Sequence, residues 1–141
     1  MIVKFYDQVE DEKLKFAVIA ARAEGKWVFC KHKARTTFEM PGGHREPGEP
    51  ILDTARRELQ EETGATAFNL QSVCVYSVTD PDNFNGAETY GLLCTAQVHA
   101  FGPIDSEMEK IVLTADLPTQ WTYPQIQPKL LAELERRGVI Q

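Results

Sequence analysis

The stretch Gly43–Ala65, GHREPGEPILDTARRELQEETGA, constrains the fold of this chain more than any other segment. Pro50 has a fixed φ that suits the first position of a helix. Gly64 tolerates the left-handed conformation that ends one. Between them Ile51, Leu52, Ala55 and Leu59 form a single apolar stripe at helical spacing. The segment therefore predicts one helix that packs on a neighbouring layer. Glu58, Glu61 and Glu62 crowd the C-terminal end of that helix. A helix C-terminus already carries partial negative charge, and carboxylates at i,i+3 and i,i+4 repel. Glu58 and Glu62, four apart, share a strip beside the apolar stripe, with Glu61 to one side. A sequence that breaks local rules without visible compensation is often serving a site. The simplest compensation is a divalent cation, since hard cations such as Mg²⁺ prefer carboxylate oxygens.

The remaining pattern surrounds this helix with strands. Met1–Tyr6 and Lys15–Arg22 read as strands, and Glu24-Gly25-Lys26 as the turn into a partner strand over Trp27–Lys33. Phe38–Met40 reads as a brief strand broken by Pro41-Gly42-Gly43. Leu70–Val78 and Thr89–Phe101 are strand-like, separated by the turn-rich loop Asp80–Gly86. A short strand near Ile111–Leu113 follows. Tyr123–Arg137 is amphipathic, with Ile126, Leu130, Leu131 and Leu134 at helical spacing and Gly138 as its stop. Helices and strands mix without regular βαβ alternation, so a mixed sheet with helices on its faces is the economical α/β (α+β) architecture.

At 141 residues the chain fits a single domain, 1–141, with a core of its own. A net charge of −6 excludes broad binding of nucleic acid, which needs a basic surface. It leaves room for a small polyphosphate held through a metal. Cys30, Cys74 and Cys94 are odd in number and widely spaced, which fits neither a disulfide framework nor a zinc motif. They read as buried thiols. Lys4, Asp7, Glu10, Asp11, Glu12, Lys13 and Lys15 interrupt the start of the chain, and no apolar run reaches membrane-spanning length. A cytoplasmic protein without a membrane partner is the expectation.

The spacing G-x5-E-x7-R-E-U-x-E-E-x-G-U, with U a bulky aliphatic, resembles the Nudix box. Gly43, Glu49, Arg57, Glu58, Leu59, Glu61, Glu62 and Gly64 fill it, and Ala65 is a small residue at its last position. Phe38-Glu39-Met40-Pro41-Gly42 is similar to the usual lead-in. The resemblance implies a Nudix fold, an α/β/α sandwich around a mixed sheet. It implies Mg²⁺- or Mn²⁺-dependent hydrolysis of a nucleoside diphosphate linked to a group X. Glu58, Glu61 and Glu62 would be metal-binding carboxylates, with the Gly43 carbonyl as a further ligand. Arg57 would orient Glu49 or Glu58. Glu58 would act as general base, with Glu61 its rival. Members often dimerise, which leaves a homodimer open.

Residues outside the box must choose the substrate. Lys31, Lys33 and Arg35 could meet phosphate oxygens; the plainer reading is a solvated basic face. His32 and His44 read as incidental. Trp27, Phe38, Tyr76, Phe84 and Tyr90 are candidates to stack on a base, although aromatics in strands usually belong to a core, and a loop exposes only Phe84. Asp105, Glu107 or Glu109 could add a metal ligand, or form a charged turn. Pro81 stands about sixteen residues past the box, as in many ADP-ribose enzymes, yet an Asp-Pro-Asp turn explains it locally. A nucleoside triphosphate giving monophosphate and pyrophosphate is the first expectation for this nucleotide-type substrate. ADP-ribose or a nucleotide sugar is second. A noncatalytic nucleotide-sensing module and an isomerase of isoprenoid diphosphates are rivals. A plain surface helix laced by pairs such as Arg57–Glu61 is the non-functional alternative.

Overall fold

The computed structural model describes residues 1–82, 84–104 and 108–140, without the side chain of Phe84. Asp105 and Glu107 therefore lie outside the described residues. Seven strands form one mixed sheet: β1 (Ile2–Tyr6), β2 (Leu14–Ala23), β3 (Lys26–His32), β4 (Gly42–His44), β5 (Ala65–Thr79), β6 (Glu88–Phe101) and β7 (Met108–Thr114). Their order is β1-β5-β6-β2-β3-β7, with β4 paired to β2 off that path. The β2–β6 pair is parallel and the others are antiparallel. Helices α1 (Ile51–Thr63) and α2 (Gln127–Arg136) cover opposite faces.

Alternation along β2 builds both layers. Ala17, Ile19, Ala21 and Ala23 face α1, where Ala55 and Leu59 pack on them. Phe16, Val18 and Ala20 face α2, where Leu130, Leu131 and Leu134 complete a second core with Phe29 and Tyr76. The small alanines let α1 lie close to the sheet. All three cysteines are buried and free.

Three local expectations shift. Pro50 is extended (φ −60°, ψ 139°) and caps α1 instead of opening it, while Gly64 is left-handed at φ 75° as expected. The strand lies at Gly42–His44, after the proline, whereas Phe38 and Glu39 make only isolated bridges to Trp121 and Cys30. The glycines allow this pairing: a Cβ on Gly42 would stand 2.5 Å from the Ala17 carbonyl oxygen. Helix α2 begins at Gln127 and not at Tyr123. Pro128 has no N–H to offer the Pro124 carbonyl, so it is tolerated only in the first turn.

Candidate active site

The helix-end acids meet the glycine strand. α1 runs across the sheet so that Glu58 and Glu62 approach β4 from one side. Glu62 Oε1 accepts the Gly42 N–H at 2.8 Å. A Cβ on Gly43 would run into the Glu58 carboxyl group. Gly43 is needed for the backbone to lie this near Glu58 and Gly42 for it to lie against β2, which explains the doubled glycine better than turn-making does. Glu58 is buried at 9% exposure. The Glu61 side chain is half exposed and stands outside this contact.

Arg57 organises the acids around it. It donates through Nε and Nη2 to both oxygens of Glu49, at 2.9 and 3.0 Å. Nη1 donates to Glu58 Oε1 at 2.7 Å, and Nη2 also reaches the His44 carbonyl at 2.9 Å. Glu61 lies at the limit of contact, 3.5 Å from Nη1. Thr54 Oγ1 donates to Glu49 at 2.6 Å. With Arg57 and Thr54 beside it, Glu49 is held down at about 2. One arginine thus clamps the loop before α1, the helix and the strand β4 together.

The pair against the glycines has the opposite character. Burial pushes Glu58 above the ordinary carboxylate value, against the pull of Arg57. Burial also pushes Glu62 up to about 8, reinforced by the charges of Glu58, Glu39 and Glu61 and opposed by the Gly42 N–H. The ion pairs of Arg57 reach Glu58 and Glu61, not Glu62. Among the described residues no three His, Cys, Asp or Glu side chains converge into a ready-made metal cluster. What they form is an under-compensated acidic pair beside open backbone, the environment that a hard cation stabilises.

A cleft of about 200 Å³ opens on the other side of Gly42 and Gly43. Phe16, Tyr76, Tyr123 and Ile126 form its apolar walls, and Glu39 and Gln127 are among its polar lining. A second hollow of about 250 Å³, reaching Val78, Asp80 and Thr89, shares those four wall residues. Gly91 makes room for them, since a Cβ there would overlap the Phe16 ring and lie 2.9 Å from Tyr76.

Of the other expected residues, Lys31 pairs with Glu109 across the β3–β7 ladder, which occupies both. Lys33 is exposed and is not among the residues lining the cleft. Arg35 pairs with Glu39 at 3.0 Å and lies over the Tyr123 ring at 5.9 Å, at the cleft rim. Trp27 and Phe38 pack in the α2-side core, and Tyr90 packs on Tyr6 and donates to Glu88; among the aromatic candidates with described side chains, Tyr76 alone lines the cleft. Phe16, Glu39, Tyr123 and Gln127 were not singled out from the sequence. Phe16 reads as a core strand residue, and Gln127 as an unremarked polar residue at a helix start.

The NUDIX domain profile matches residues 11–134, a span that covers every element from β2 to β7 and most of α2. The chain belongs to the Nudix family. The putative 8-oxo-dGTP diphosphatase YtkD of Bacillus subtilis is 37% identical over 76 residues, 54% of this chain and 48% of that protein. The ADP-ribose pyrophosphatase of the same organism is 44% identical over 64 residues, 43% of this chain and 35% of that protein. The matched stretches thus span about half or less of those relatives' lengths. The crystal structure of the B. subtilis pyrophosphohydrolase BsRppH shares the Nudix fold at a TM-score of 0.78, with 24% identity over 99% of this chain and 93% of that one. Among the described residues no helix is long and apolar enough to cross a membrane.

Proposed function

We propose that this Nudix chain hydrolyses a phosphoanhydride bond in a nucleotide, releasing monophosphate and pyrophosphate from a nucleoside triphosphate in the presence of Mg²⁺ or Mn²⁺. The observation that carries the proposal is the packing of Glu58 and Glu62 together against the Gly42–Gly43 backbone, which also lines an aromatic-walled cleft. Divalent metal use is general in the family, and the fit here is chemical: Glu62 is half-buried and has the Gly42 N–H as its hydrogen-bond partner. Glu58, Glu61 and Glu62, with the Gly43 carbonyl, would hold the ion. When bound, such an ion neutralises phosphate charge and acidifies a water.

The chain's own residues do the positioning. Arg57 fixes Glu49, the Glu58 carboxylate and the glycine strand in one frame through four hydrogen bonds. Glu58 takes the proton of the attacking water, because it lies buried beside Gly43 while its rival Glu61 faces solvent. The base lies against the cleft wall that Phe16, Tyr76 and Tyr123 form, and Arg35 at the rim meets phosphate or sugar oxygens. ADP-ribose or a nucleotide sugar is the second reading, because the adjoining hollow gives a second ring a place.

A panel of nucleoside triphosphates, oxidised guanine nucleotides, ADP-ribose and nucleotide sugars, each with Mg²⁺ or Mn²⁺, tests the proposal through released phosphate and pyrophosphate. Turnover abolished by a chelator is the expected result. Tight nucleotide binding without turnover on any member would establish the sensing module instead.

A further inference from the structure

Glu39 and Gln127 are polar, line the cleft and have no part in the hydrolytic step. Both are buried, at 6% and 4% exposure. Gln127 Oε1 accepts the Met40 N–H at 2.8 Å. That bond fixes the amide's orientation: its oxygen is committed to backbone, and the NH₂ group is left to donate. Glu39 Oε1 accepts from Arg35 Nη1 at 3.0 Å, and Oε2 has no protein partner among the described residues. Among those residues no fully buried side-chain nitrogen or oxygen lacks a partner. Gln127 Nε2 and Glu39 Oε2 therefore touch the accessible space of the cleft. Met40 follows Glu39 directly, so the donor and the acceptor stand at neighbouring points of one wall.

The cleft thus presents one neutral donor and one carboxylate between flat apolar walls. We propose that Glu39 and Gln127 select guanine. Guanine offers a carbonyl oxygen to the Gln127 NH₂ group. Beside it stand two adjacent donors, the ring N1–H and the exocyclic N2–H₂, which a carboxylate accepts as a pair. Hypoxanthine keeps the carbonyl and N1–H but lacks the second donor. Adenine offers one acceptor and one donor, so it also loses a charge-assisted bond. A site built to hydrogen-bond a group discriminates strongly against a ligand that lacks it, because its own polar atom is left unpaired. This inference rests on the reading of the site as a nucleotide hydrolase, but base selection is readable in binding alone.

The test measures Kd for the α,β-methylene analogues of GTP, ITP and ATP with Mg²⁺ on the full chain, beside kcat/KM for the natural nucleotides. The guanine analogue should bind about tenfold or more tighter than either the hypoxanthine or the adenine one, the worth of one hydrogen bond to a charged group. Glu39→Gln, which keeps size and shape, should bring the three to within about threefold of one another. Gln127→Glu keeps the acceptor for Met40 but turns the donor into a second acceptor; all three bases meet that donor with an acceptor, so it should weaken all three about alike and leave the guanine preference in place. Equal binding of the three analogues, an unchanged guanine preference in Glu39→Gln, or wild-type affinity for all three in Gln127→Glu would overturn the base assignment and leave hydrolysis standing. Guanine-selective binding without turnover of any nucleotide would uphold the assignment and remove the hydrolase reading. Failure of all three analogues to bind would remove both.

Discussion

Arg57 shows how one side chain can tie three segments of a candidate site together. Its planar fork spans both Glu49 oxygens while the remaining N–H groups reach Glu58 and the His44 carbonyl. A lysine has one compact charge and cannot make that set of bonds. Arg57→Lys should therefore lower kcat by about tenfold or more with little change in KM, read in steady-state kinetics. Glu58→Gln and Glu62→Gln remove charge from the proposed metal site without opening a core cavity. Each should lower kcat by about a hundredfold or more while the circular dichroism spectrum stays that of the wild type. Near-normal turnover by both at saturating Mg²⁺ would sink their assignment. Gly43→Ala should be as damaging as either, because its methyl group would displace the Glu58 carboxyl.

At the scale of elements, α1 carries two opposed demands. Leu59 and Ala55, fully buried, bind it to β2, while the acidic end resists burial. Leu59→Ala should cost about 2–5 kcal/mol in a denaturant titration, the range for a cavity in a packed core. Glu62→Gln should do the reverse in metal-free protein. Its carboxyl rises to about 8 in the fold, so ionising it there works against the native state. The variant should melt at or above the wild-type temperature in the presence of a chelator, and a large loss would contradict this account. Helix α1 was legible from the sequence because its stripe, its stop and its acids are all local. The site's second half was not. Gln127 reaches Met40, just before the glycine strand, through a bond that joins residues 87 positions apart. Gly91 makes room for Phe16 and Tyr76 across two strand pairings. No periodicity in the chain marks such meetings. The short strand β4 escaped for a related reason: Pro41-Gly42-Gly43 carries the composition of a break, and only its proximity to β2 makes it a strand.

Across the whole molecule, stability against acid follows from three tied carboxylates. Glu49, Glu88 and Glu133 are each held near 2, against an ordinary value of 4.5, by Arg57 and Thr54, by Ser77, Tyr6 and Tyr90, and by Arg136 and Arg137. Their folded values lie below their unfolded ones, so the stability they give is present above about pH 4.5 and lost as pH falls towards 2. Glu88 joins β1, β5 and β6 by accepting from Tyr6, Ser77 and Tyr90 at 2.6, 2.5 and 2.7 Å. Glu88→Gln should flatten the acid limb of stability against pH measured by denaturant titration. An acid limb as steep as the wild type's would show that Glu88 contributes nothing to it. The overall architecture was legible because two amphipathic helices and alternating strands leave few ways to bury both stripes. Which face holds the cleft was not, since the walls come from β2, β5 and the segment before α2.

The central claim is that the acids packed beside Gly42 and Gly43 break a nucleotide's phosphoanhydride with the help of a divalent ion. Phosphorus NMR of a nucleoside triphosphate incubated with the protein and Mg²⁺ tests it most directly. The account predicts monophosphate and pyrophosphate as products, lost with chelator and in Glu62→Gln. Diphosphate and orthophosphate as products, or turnover indifferent to both chelator and substitution, would contradict it.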